Sequence, residues 1–161
     1  MATPTSPLTQ RVIERIIVVL SEITTGADYF YTPADVIKRF VHWREAKFTP
    51  DKPLYMVFRD SGGTVEYIGE NLYCEDWVVN VKGYVQDKAD TVTKMERAIR
   101  DIRKAINDDS KGEAVGSLGA ITAAVTIEEP PSTDNGYLSL EGMGFFDQRI
   151  RIRTDGDFGE L

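Results

Sequence analysis

The chain has 161 residues, 42% hydrophobic and 28% charged, with 19 Lys and Arg against 26 Asp and Glu for a net charge of −7. This excludes global disorder and suits one domain that buries about 70% of its unfolded surface. The acidity argues against binding nucleic acid through phosphate contacts, and a single cysteine, Cys74, excludes an intrachain disulfide.

Residues 1–7 are small and polar, with no basic or apolar stretch of the signal-peptide kind, so a loose arm is expected there. The longest apolar run, 16–20, is too short to span a bilayer, and the expectation is a soluble intracellular domain. A helix is predicted over 8–23, because Val12, Ile13, Ile16, Ile17, Val19, Leu20 and Ile23 share one face at 100° per residue. Val18 falls on its polar side, as a surface valine or a subunit contact. Residues 24–33 form a loop between Gly26 and Pro33 that carries Tyr29, Phe30 and Tyr31. These rings either lid the core or form a protein-binding patch.

Strands come next. Residues 35–43 alternate as a strand with Ile37, Arg39, Val41 and Trp43 on one face, a helix being the alternative. Residues 54–59 form a strand, 60–63 a turn and 64–68 a short return strand. Over 76–86, Trp77, Val79, Val81 and Val85 oppose Asn80, Lys82 and Tyr84.

The clearest helix is predicted over 88–106, where Val92, Met95, Ile99, Ile102 and Ile106 step by three and four, widened by Ala98 and Ala105. Asp87 or Asp90 caps its start. Its opposite face holds Lys94, Glu96, Arg97, Arg100, Asp101, Arg103 and Lys104. That face is either solvated or a dock for an acidic neighbour. Residues 107–119 are polar and glycine-rich, a flexible loop; 121–127 alternate as a strand; 128–136 form a connection. A last strand covers 137–153, bent or bulged at Gly142 and Gly144, and 154–161 is a frayed acidic tail. The expected architecture is one α+β domain with a core over 8–153, a mainly antiparallel sheet and two amphipathic helices packed on one face.

Chemistry is sparse. His42 is the only histidine, and the carboxylates beside Cys74 disfavour a thiolate. Gly112, Gly116 and Gly119 precede a strand and lack the lysine of a phosphate loop. The acidic run after Thr154 lacks the ligands and flanking helices of a calcium loop. Asp108–Asp109 and Glu128–Glu129 read as solvated loop carboxylates. No catalytic residue, metal or cofactor is expected, and the chain is read as a non-enzyme. The last strand does carry a pattern. Arg149, Arg151 and Arg153 alternate with Ile150 and Ile152, so the arginines share one face. They either protect an edge strand or pair with carboxylates of a neighbouring chain.

The order of these elements resembles the tail-terminator proteins of bacteriophages with long, non-contractile tails. The opening helix carries Arg11-Val-Ile-Glu-Arg-Ile16, and the extended middle carries Pro53-Leu-Tyr-Met-Val-Phe58. The strand Val79-Asn-Val-Lys-Gly83 leads to the helix segment Arg97-Ala-Ile-Arg-Asp-Ile102, and Leu140-Glu-Gly-Met-Gly-Phe145 opens the last strand. The likeness spans residues 8–153.

The resemblance implies a structural virion protein at the neck end of the tail, assembled in the host cytoplasm. It forms a hexameric ring that caps the tube, stops its growth and presents a joining surface to the head. Its partners are then copies of itself, the tail tube protein and a connector or neck protein. DNA only passes through the lumen, and no membrane is involved. Arg149, Arg151 and Arg153 are the first candidates for ring or tube contacts. Arg97, Arg100 and Lys104 come next, and Tyr29, Phe30 and Tyr31 are a possible protein contact. Residues 60–71 and 107–119 are candidate loops that order on docking. Three alternatives remain open: another neck protein such as a connector, a monomeric binding module, and an enzyme using carboxylates alone.

Overall fold

Apolar periodicity of two and of 3.6 residues assembles here into one sheet with helices against a single face. The computed structural model describes residues 7–60, 62–69, 72–87, 89–128, 137–138 and 142–157. The elements in order are α1 (Leu8–Ser21), β1 (Asp35–Ile37), β2 (Leu54–Arg59), β3 (Thr64–Gly69), β4 (Leu72–Gln86), α2 (Thr91–Ser110), α3 (Leu118–Ile121), β5 (Ala124–Glu128), β6 (Tyr137–Leu138) and β7 (Met143–Asp157). The strands form a seven-stranded sheet in the order β1-β2-β4-β7-β5, with β3 also on β4 and β6 also on β7. Every pairing is antiparallel except β1 with β2. The fold is therefore α+β, with two substantial helices on one face.

The core lies between that face and the helices. Trp77, Val79 and Val81 of β4 align with Ile152, Ile150 and the buried Gln148 of β7, beneath Ile16 and Leu20 of α1 and Ile99 and Ile102 of α2. Asp90 caps α2 by accepting the Thr93 N–H at 3.1 Å. The expected stripe of α2 is buried from Met95 to Ile106, but Val92, in the exposed first turn, is 38% accessible. The helix also runs on to Ser110, four residues past the expected end, because Asp109 has a partner on α1.

Among the described residues, the other face of the sheet carries a hydrophobic cluster at one end. Leu54, Met56 and Tyr84 form a second small cluster with Val41, against which Trp43 and Phe48 pack. The expected strand over 35–43 therefore stops at Ile37. Beyond it the chain crosses this face, and the Tyr84 hydroxyl donates to the Val41 carbonyl at 2.8 Å. Val41 and Trp43 serve as cover for apolar strand residues rather than as strand residues themselves.

The expected turn at 60–63 is a bulge. Arg59 pairs Val79 and Thr64 pairs Asp76, so the chain carries extra residues between these pairs and continues in the same direction along β4. Gly63, at φ 140°, lies so close to β4 that a Cβ there would sit 2.9 Å from the Asp76 carbonyl oxygen. The reversal comes after Gly69, which pairs Leu72. For this reason β4 starts four residues before the expected strand. β4 and β7 pair without a register break from Leu72↔Asp157 to Gln86↔Met143. Gly142 and Gly144 therefore do not bulge β7. The first precedes the strand at φ 69°, and the second lets Met95 and Thr91 of α2 pack onto it. Residues 154–157 are strand rather than frayed tail; residues 158–161 lie outside the described residues.

Strand and helix lengths do not match, and the mismatch shapes the molecule. Fifteen-residue strands extend about 50 Å. The twenty residues of α2 extend about 30 Å. The helices cannot cover the whole sheet, and β3 with the first residues of β4 forms an arm at its end.

Candidate functional site

The arginine ladder lies on the open face. β7 has β4 on one side and β5 on the other, so it is an interior strand and the edge-protection reading fails. The three guanidinium groups instead lie among carboxylates of their own chain. Arg149 lies 3.7 Å from Asp60 and 3.8 Å from Glu128; Arg151 lies 2.5 Å from Glu128 and 3.7 Å from Asp76; Arg153 lies 4.0 Å from Asp155. The Glu128 hydrogen bond raises the Arg151 pKa further above its ordinary value. Pairing to a neighbouring chain is not needed to satisfy the ladder, yet its side chains keep 30–48% of their surface in solvent. A hollow of about 260 Å³ opens beside it, lined by Asp60, Gly63, Thr64, Asp76, Arg149 and Arg151.

The second and third groups of candidate residues, taken separately in the sequence, are one cluster in space. Arg97 and Arg100 stand 5.1 and 5.3 Å from the Phe30 ring centre, and Lys104 stands 5.6 Å from that of Tyr29. Tyr31 is buried in the core and Tyr29 packs against it, so these two rings are a lid. Burial pushes both phenols above their ordinary pKa, with nearby Lys104 and Arg97 opposing the shift. Phe30 stays 44% exposed. Asp101, expected on the solvated face of α2, is fully buried and accepts the N–H groups of Phe30 and Tyr31. Lys104 pairs Asp108 at 2.6 Å.

The paired acids at the end of α2 are not merely solvated. Arg15 donates to both oxygens of Asp109, at 2.6 and 3.0 Å, and Asp109 also accepts the Leu118 N–H at 2.9 Å. Burial opposes ionisation of Asp109, but these donors outweigh it and hold its pKa below the ordinary value. Residues 107–119, expected as a loop, are in part the end of α2 and the start of α3.

Two surfaces escaped the sequence reading. One is the arm, where Val65, Tyr67, Ile68 and Leu72 are 53, 74, 50 and 47% exposed. The other is an open groove of about 650 Å³ between α2 and β5, lined by Glu96, Ile99, Arg100, Arg103, Lys104 and Ile127. The arm's only early signal is Val65, Tyr67 and Ile68 in a short segment with no second apolar segment close by to cover it.

Elsewhere, His42 is exposed, and its Nδ1 accepts the Arg44 N–H at 3.3 Å. Burial pushes the Cys74 thiol above its ordinary pKa, and Asp155 adds to the shift. Among the described residues no group of three or more His, Cys, Asp or Glu is placed to hold a metal ion. Among them, too, no helix is long and apolar enough to cross a membrane.

No family model matches the chain, and no curated protein matches it significantly. The reading of its function therefore rests on its own residues.

Proposed function

We propose that this chain is a self-assembling structural protein that forms a ring, acting as a tail terminator on the end of a phage tail tube. The observation that carries this reading is the arm. Four large apolar side chains, each about half exposed or more, lie on one hairpin, with Val65 and Tyr67 on the same face of β3. Exposed apolar side chains grouped on one strand face mark a protein–protein contact. The order of elements, to which the resemblance to tail terminators was traced, supports the finer part of the reading. Capping a tube makes and breaks no bond. It needs one surface that fits the tube end and another that does not, so that growth stops. A head-to-tail ring supplies two unlike faces. In that setting the chain sits at the neck end of the tail, and its acidic surface does not hold the passing DNA by phosphate contacts.

The test is assembly. Added to polymerising tail tube protein, the chain caps the tubes, and electron microscopy shows shorter tubes with a ring at one end. Loss of the chain from the phage gives overlong tails. Tails of normal length parted from their heads would make it a connector instead. A chain that leaves tube length unchanged and tails intact is neither.

A further inference from the structure

We propose that the β3 edge of one copy adds to the β5 edge of the next copy, seating Val65 and Tyr67 in that copy's groove between α2 and β5. The proposal rests on the ring reading above and names its contact. Four observations carry it.

Among the described residues both strands have an open edge. There β3 bonds to β4 alone and β5 to β7 alone, and they are six and five residues long. Each leaves a row of backbone donors and acceptors that a strand of matching length can satisfy.

The side chains match the two faces. On β5, Val125 and Ile127 turn toward the helices, and Ile127 lines the groove with Ile99 of α2. On β3, Val65 and Tyr67 stand two residues apart on one face, at the spacing an added strand needs to place both under α2. The alternate residues Thr64 and Glu66 then fall on the ladder side, next to Ala124 and Thr126 of β5 and one strand out from Arg151 and Arg153.

The charges near the contact differ in sign. The rim of the groove holds Arg100, Arg103 and Lys104 against Glu96. On the arm, Glu75 stands opposite Val65 and so shares the face of Val65 and Tyr67, where it also bonds Arg59, and no basic residue lies between Gly63 and Trp77.

The topology makes the contact heterologous. β3 lies on the β2 side of β4, whereas β5 lies beyond β7, so the two edges face opposite ways across the sheet. A β3–β5 contact cannot be shared reciprocally by two copies as a single twofold interface. It leaves a free β3 at one end and a free β5 at the other, and it propagates until a ring closes.

The experiment uses the full chain. Light scattering over a range of concentrations gives the mass of the wild type and of Tyr67→Lys. A variant with Cys74→Ser, Val65→Cys and Ile127→Cys is oxidised and run on a denaturing gel. The expected result is an oligomeric wild type and association at least about tenfold weaker in Tyr67→Lys, with unchanged circular dichroism. The double-cysteine chain gives a ladder of cross-linked multimers, and each single-cysteine control fails to give one. An oligomeric wild type with no ladder overturns this contact and leaves the ring reading standing. A wild type at the single-chain mass throughout overturns the contact as well. Tube capping, measured separately, then decides the functional reading.

Discussion

Asp101 of α2 accepts the backbone N–H of Tyr31 at 3.0 Å, across seventy residues of chain. The same carboxylate accepts the Phe30 N–H at 2.9 Å, while Arg100 lies 3.3 Å away. One buried acid thus holds the aromatic loop onto the helix, and the stacking of Phe30 against Arg97 and Arg100 follows from that anchor. Replacing it by alanine leaves two backbone donors without their acceptor. Asp101→Ala should cost about 2–4 kcal/mol and speed amide exchange at Phe30 and Tyr31. Asp101→Asn, which keeps one accepting oxygen, should cost less. Unchanged exchange at both amides in Asp101→Ala would show that the loop is held by its rings instead.

Asp109 ties the end of α2 to α1 through Arg15, and its pKa is depressed in the fold. An acid depressed on folding stabilises the protein at pH values above its unfolded pKa, near 4. That contribution fades as pH falls through the lower, folded value. Thermal melting between pH 6 and 2 should therefore show a loss of stability that begins below about pH 4. Asp109→Asn should be less stable at pH 6 by about 1–2 kcal/mol and should show a shallower acid limb. An unchanged acid limb in this variant would assign the acid sensitivity to other groups.

Gly83 faces Phe146 across the β4–β7 ladder, and a Cβ at Gly83 would sit 2.2 Å from the ring. The glycine makes the space in which the ring lies. Gly83→Ala should destabilise the fold by about 1–3 kcal/mol through overpacking. Adding Phe146→Leu should recover part of the loss, because the residues are in direct contact. Additive losses in the double variant would argue that the backbone, not the ring, is disturbed.

Cys74 is 3% exposed where β3 meets β4, and its thiol is pushed up first by burial and then by Asp155. A thiol reagent at neutral pH should label it far more slowly than a peptide thiol, because the thiolate is scarce and the site closed. The rate should rise sharply in mild denaturant as the arm opens. Labelling at the peptide rate in buffer would mean that the arm is open in solution.

Much of the fold is legible in the sequence. The spacing of Val12, Ile13, Ile16 and Leu20, and of Met95, Ile99, Ile102 and Ile106, leads directly to the buried faces of the two helices. The alternation of Trp77, Val79 and Val81 likewise matches the helix-facing side of β4. These patterns are local, since each residue repeats at the period of its own element. Errors came where a distant partner decided the outcome. Gly62 and Gly63 look like a turn, and only the continued pairing of Thr64 with Asp76 makes them a bulge. Asp101 sits on the charged face by helical phase, and only the donors of Phe30 and Tyr31 explain its burial.

The candidate sites divide the same way. The single face shared by Arg149, Arg151 and Arg153 follows from strand period alone. The interior position of β7, which places Glu128 and Asp76 beside those arginines, does not. Composition and periodicity by themselves determined the α+β class, the two helices and the shared face of the arginines, because these depend on neighbours within about four positions. Tertiary structure alone decided which strands are edges, which charges already have partners and where apolar side chains remain uncovered. Those properties belong to pairings between residues tens of positions apart, and a one-dimensional period carries no record of them.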